Sequence, residues 1–200
     1  MTAPLSRTLA AALWPSRAGA RAFAAARAGA LVLAGALALT LSARAQIPFW
    51  PVPMTLQSLV VLAMASALGG RLAVAAVALY LAEGALGLPV FAGAPERGLG
   101  LAYMMGPTGG YLAGFLAAAA LVGRAADRGW DRSAWRLLVV MSVGHALIFA
   151  FGFAWLAMLS GPGAAWTFGV APFALATVIK TLLAAALVGG AWRLVGASRG

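Results

Sequence analysis

Six apolar runs alternate with short polar breaks along the chain. They cover about residues 28–43, 54–68, 72–88, 107–122, 137–159 and 172–188. Each is near the length that a bilayer helix needs. The first is the shortest, and residues 24–26 can extend it inward. The pattern predicts an all-α integral membrane protein of six transmembrane helices, with both termini on one side. The connections differ in character. Residues 44–53 carry Pro48, Pro51 and Pro53, which fix three φ angles and remove three N–H donors, so a stiff, non-helical hairpin is expected. Gly69-Gly70-Arg71 reads as a minimal turn. Residues 89–111, PVFAGAPERGLGLAYMMGPTGGY, form the longest break, rich in Gly and Pro and expected to be a lid. Residues 123–136 are densely charged, and residues 160–171 carry no charge.

Composition strengthens the membrane reading. The 200 residues are 64% hydrophobic and 9% charged, with mean hydropathy +0.96. A soluble domain of this size has too little interior for that much apolar surface. The net charge of +10 is no nucleic-acid footprint, because the arginines sit one or two at a time at segment ends. They suit headgroups of the lipid bilayer and set orientation. Arg7, Arg17, Arg21, Arg27, Arg71, Arg124, Arg128, Arg132, Arg136, Arg193 and Arg199 fall on one side, and Arg44 and Arg97 on the other. The first side is therefore expected to be cytoplasmic, with both termini there. This divides the chain into a basic cytoplasmic arm (1–27, disordered or surface-lying, with Trp14-Pro15 a candidate interfacial anchor), a six-helix membrane domain (28–190) and a cytoplasmic tail (191–200). The start of the chain also has the order of a secretory signal, but Arg44 lies inside the would-be cleavage motif.

Candidate chemistry is sparse. The chain has no Cys and four acids, Glu83, Glu96, Asp127 and Asp131, the last two on the cytoplasmic side of this topology. There is no HxxxH, no paired carboxylates and no nucleotide-binding glycine loop. Catalysis, metal binding and tightly held cofactors have little material to work with, so no cofactor is expected. Lys180, the only Lys, lies about half-way along the sixth run, near Thr177. Three readings are open for it: snorkelling, an ion pair with Glu83, and binding of a polar solute group. Glu83 follows Tyr80 by three residues in the third run, and an acid there should face protein or a cavity. His145 reads best as a hydrogen-bonded packing residue. Ala26, Ala30, Ala34 and Ala38 put small side chains on one face of the first helix, where another helix can approach.

Three segments carry a specific resemblance: VPMTLQSLVVLAMASALGGRLA (52–73), YLAEGALGLPVFAG (80–93) and MGPTGGYLAGF (105–115). Over roughly residues 40–190 the chain resembles the BioY family, the biotin-binding subunits of energy-coupling-factor vitamin transporters. The resemblance implies a six-helix component that binds biotin at the extracytoplasmic side. It implies partners as well: a transmembrane coupling protein and two ATPase subunits. The family's coupling face on the first helix matches Ala30, Ala34 and Ala38. Its last helix commonly opens with a PFxxGDxxK segment, which here reads PFALATVIK, residues 172–180. Lys180 is kept, but Thr177 stands where the family has an acid.

The expected site therefore joins Lys180, Glu83, Thr177, Tyr80, Tyr111, Gln57 and Phe91, under the two ends of the 89–111 connection. Glu96 and Arg97 are expected at its solvated rim. A subunit for another vitamin, a lipid-acting membrane enzyme that uses His145 or Glu83, and a purely structural subunit are the competing readings.

Overall fold

The computed structural model describes residues 8–15 and 21–197. Arg7, Arg17 and Arg199 lie outside them. The described chain is almost entirely helical: α1 (Leu9–Leu13), α2 (Arg21–Arg44), α3 (Gln57–Leu68), α4 (Gly70–Ala85), α5 (Gly100–Met104), α6 (Gly109–Asp127), α7 (Ala134–Ser160), α8 (Pro162–Gly169) and α9 (Ala174–Ala197). Two short strands, β1 (Gln46–Ile47) and β2 (Met54–Thr55), pair antiparallel in the register Gln46↔Thr55 and Ile47↔Met54. By length and apolarity, α2, α6, α7 and the stretch from Pro162 to Gly196 can each cross a membrane. Helices α3 and α4 are shorter, and α3 is largely enclosed by protein.

Several boundaries differ from the sequence expectation, each for a local reason. Helix α2 is already helical at Arg21, since the Ala-rich residues before position 28 are strong helix formers and continue the run inward. Met54 and Thr55 are not helical, because their backbone closes the Pro-rich hairpin against Gln46 and Ile47. The 160–171 connection is mostly helical. Gly161 turns the chain at φ 82°, and Pro162 sits at the first helical position, where its missing N–H costs nothing. The described part of the N-terminal arm is ordered too. Leu9, Ala10 and Ala12 are buried, and α1 packs on α3 and α9. Arg27 holds it there: its guanidinium donates to the Ala10 carbonyl at 2.7 Å and the Trp14 carbonyl at 2.6 Å. The Trp14 carbonyl is a terminal one with no helical donor, while the Ala10 carbonyl also accepts from the Trp14 N–H at 3.0 Å, so Arg27 takes its second lone pair.

The bundle is tightest where glycines let backbones meet. A Cβ on Gly123 would lie 2.6 Å from the Gly70 Cα, so α4 and α6 touch main chain to main chain. The Asp127 carboxylate at the end of α6 accepts from the Gly70 N–H at 3.0 Å, satisfying an orphan donor at the start of α4. Along the α6–α7 seam, Gly110 and Gly114 face Gly152 and Ile148. The charged 123–136 connection is less exposed than its composition suggests. Asp131 is buried and accepts from the Trp192 indole at 2.6 Å, tying the α6–α7 turn to the end of α9. Burial pushes its carboxyl above the usual carboxylate range.

Candidate binding cavity

At one end of the bundle, beneath the hairpin and the 86–108 connection, lies a cavity with about 590 Å³ of space, its mouth included. Its roof comes from Val52, Pro53 and Thr55 of the hairpin and Ala92, Tyr103 and Thr108 of the long connection. Its walls come from Gln57 and Ser58 on α3, Tyr80 on α4, and Tyr111, Leu112 and Phe115 on α6. Ile148 and Phe149 on α7, Phe173 and Lys180 complete it.

One side is a hydrogen-bonded polar chain. The Lys180 ammonium donates to the Thr55 carbonyl at 2.7 Å. The Thr55 hydroxyl donates to Gln57 Oε1 at 3.3 Å, and Gln57 Nε2 donates to the Tyr80 hydroxyl at 2.6 Å. Tyr80 in turn donates to the Val90 carbonyl at 3.3 Å. The opposite side is aromatic: Tyr111 and Phe149 meet edge to face at 6.2 Å, and Phe149 and Phe173 lie 6.1 Å apart. Tyr111 is fixed by donating to the Gly169 carbonyl at 2.7 Å. The arrangement offers one ammonium, several neutral donors and acceptors, and flat apolar surfaces. It suits a compact solute with ring and chain parts and a few polar atoms.

Of the residues expected at the site, Lys180, Gln57, Tyr80 and Tyr111 are brought together on this wall. Glu83, Thr177 and Phe91 are not. Glu83 is half-buried one turn past Tyr80. Three residues are some 60° short of a full helical turn, enough to carry its side chain off the wall. The Lys180 ammonium goes to a backbone carbonyl rather than to Glu83. Thr177 likewise lies off the wall, and its carbonyl accepts from the Thr181 hydroxyl at 2.8 Å. Phe91 stands behind the wall, stacked on Tyr103 at 4.7 Å and edge-on to Tyr80 at 5.5 Å, in a space that Gly84 leaves open. It props the lining tyrosines.

Sequence reasoning missed Phe115, Phe149, Phe173 and Tyr103, while Thr108 falls within the 106–111 end of the long connection that was expected to face the site. Phe115 was within reach, since it repeats Tyr111 at four residues on the same helix face. An aromatic in an apolar run otherwise looks the same whether it faces lipid or a cavity.

The roof is held by two arginines, which changes the reading of Arg97. Its guanidinium crosses to the hairpin, donating to the Pro51 carbonyl at 3.1 Å and the Phe49 carbonyl at 2.8 Å, over the Trp50 ring. It is a clamp rather than a solvated rim. Arg44, from the end of α2, reaches the other way, to the Ala94 carbonyl at 2.9 Å and to the Pro89 carbonyl. The small-residue face of α2 points away from the bundle. Ala26, Ala30 and Ala34 are exposed and Ala38 is half-buried, while Gly35, Ala36, Leu39, Ser42 and Ala43 turn inward.

Comparison with known proteins resolves the family. Residues 11–197 match the model of the BioY family. The chain belongs to the BioY family. A probable biotin transporter BioY of Pyrococcus horikoshii is 36% identical over 149 residues, covering 74% of this chain and 86% of that one. The biotin transporter BioY of Thermotoga maritima is 37% identical over 148 residues, covering 74% and 85%. A crystal structure of the S-component for biotin from an ECF-type ABC transporter shares the fold, with TM-score 0.74 and 23% identity over 85% of this chain and 93% of that one. In this BioY-family chain the segments GLPVFAG and GPTGGY supply Ala92, Thr108 and Tyr111 to the cavity.

Proposed function

We propose that this protein is the biotin-binding membrane subunit of a vitamin uptake transporter of the energy-coupling-factor type, and not an enzyme. The observation that carries this is the roofed cavity of a BioY-family chain, with one ammonium and a ring of aromatics on its wall. Biotin has a planar ureido ring, a thioether-containing bicycle and a carboxylated chain. Phe149, Phe173 and Tyr111 offer flat surfaces to the apolar parts, and Lys180, Gln57 and Tyr80 offer donors and acceptors to the polar ones. Glu83 and Thr177 act from one layer back, through the helices that present Tyr80 and Lys180.

In this reading six helices span the membrane: α2, α3, α4, α6, α7 and α9. Helices α3 and α4 are about 18 and 24 Å long, short of a hydrocarbon core of about 30 Å. Protein rather than lipid surrounds much of α3, where non-helical backbone at membrane depth is tolerated, so the hairpin completes its crossing. The arginine distribution supports a cavity on the outer side and both termini in the cytoplasm. Residues 28–190 form the binding domain.

Equilibrium binding of biotin, riboflavin and thiamine to the purified protein tests the assignment. Biotin should bind far more tightly than the other two. Equal affinities would point to a different vitamin, and no binding at all would point to a structural subunit.

The outward alanine face of α2 is the docking surface for the transmembrane coupling protein, which works with two ATPase subunits. Ala34→Leu should disrupt copurification with that protein while leaving biotin binding intact. A normal complex would remove this face from the interface.

A further inference from the structure

Below the cavity a second polar pair is buried: His145 on α7 and Thr181 on α9. Thr181 Oγ1 lies 2.8 Å from His145 Nδ1 and 2.8 Å from the Thr177 carbonyl. A hydroxyl has one proton, and a carbonyl only accepts. The Thr181 proton therefore goes to Thr177, and His145 Nδ1 must be the donor to Thr181. That fixes the ring as the Nδ1–H tautomer and leaves Nε2 as a bare acceptor, buried and without a partner. The opposite assignment would leave Nε2 as a buried, unpaired N–H, the costlier and rarer arrangement.

Helix α9 is anchored near its end by the Trp192–Asp131 bond, and beside the cavity the Lys180–Thr55 and Thr181–His145 bonds are its polar ties to other elements. Its buried side chains form a narrow stripe, Thr181, Ala184, Val188 and Val195, set mainly against α3 and α7. Short side chains of this kind define roll weakly. Lys180 is the neighbour of Thr181 and stands on the cavity wall. We propose that His145 is a positioning residue for the binding site: its bond to Thr181 sets the roll of α9 that presents Lys180 to the cavity. This rests on the biotin-binding reading above.

The test uses the full chain in lipid nanodiscs. His145 is the only histidine, so ¹⁵N-histidine labelling gives one pair of ring signals. Nδ1 should be protonated and Nε2 bare. Thr181→Val should move these signals and weaken biotin binding about fivefold, the effect of one neutral hydrogen bond. Thr181→Ser should restore both. In a Lys180→Ala background, Thr181→Val should cost nothing further, because its effect runs through Lys180. Fully additive losses, or an Nε2–H ring, would overturn the proposal. If Thr181→Val lowers the yield of folded protein, His145→Asn and His145→Leu replace it. Asn keeps a donor near the Nδ1 position and should bind biotin like wild type, Leu should not, and equal affinities would refute the assignment. Failure of the wild-type protein to bind biotin would instead count against the function, whatever the ring signals show.

Discussion

Lys180→Ala weakens biotin binding by between about tenfold and two-hundredfold in equilibrium measurements on the purified protein. The range is that of one charge-assisted hydrogen bond, about 1.5–3 kcal/mol. The loss is large because Lys180 is the single charged group on the wall, and the remaining lining is aromatic, aliphatic or neutral polar. In the empty site the ammonium is satisfied by the Thr55 carbonyl. A ligand therefore gains by replacing or sharing an existing partner, which places the effect below that of an unpaired buried charge. Lys180→Arg should not restore affinity, since a planar guanidinium differs in shape and donor geometry from a compact ammonium. Wild-type affinity in Lys180→Ala would take this residue out of the site.

Gly114→Val is expected to disrupt the bundle strongly. A Cβ at this position would lie 2.8 Å from the Ile148 Cα and 3.0 Å from its carbonyl oxygen. Both are backbone atoms, so no side-chain rotation relieves the clash, and α6 and α7 must separate. Overpacking costs about 1–3 kcal/mol where side chains can adjust, and more where they cannot. The same separation would spread Tyr111 and Phe115 away from Ile148 and Phe149, so stability and binding should fall together. Gly189→Ala is the control, because nothing lies within 4 Å of its Cβ position. Thermal unfolding in detergent should show a large drop for Gly114→Val and none for Gly189→Ala. A Gly114→Val protein that melts like wild type would mean that the seam is looser than described.

The sequence made the helices visible because a bilayer leaves few alternatives for long apolar runs. It did not show where they end, since the ends depend on partners distant in the chain. Met54 leaves the helix to pair with Ile47, and Pro162 begins a helix where a loop was expected. At the site, Lys180, Gln57 and Tyr111 stood out as polar groups in an apolar setting. Glu83 stood out for the same reason, yet it lies off the wall. Scarcity marks a residue as unusual without giving its angle about the helix axis. Arg97 was misplaced, and the burial of Asp131 was not foreseen, for a related reason. The partners that hold them are main-chain carbonyls of the hairpin and an indole at the far end of the chain, and nothing in the local pattern points to those. Phe173 and Phe149 left no signal that separates a cavity wall from a lipid-facing surface.

Apart from the stacking of Arg97 on Trp50, Arg44 and Arg97 join the two halves of the roof through peptide oxygens, at Pro89, Ala94, Phe49 and Pro51. Every amino acid carries that acceptor. The seam is therefore indifferent to side-chain identity at the four receiving positions and sensitive only to the path of the main chain. Selection, or a protein engineer, could exchange roof residues one at a time and so retune which solute is held. Deleting a single residue from either loop would instead part the seam. In this architecture specificity can drift while the latch is conserved.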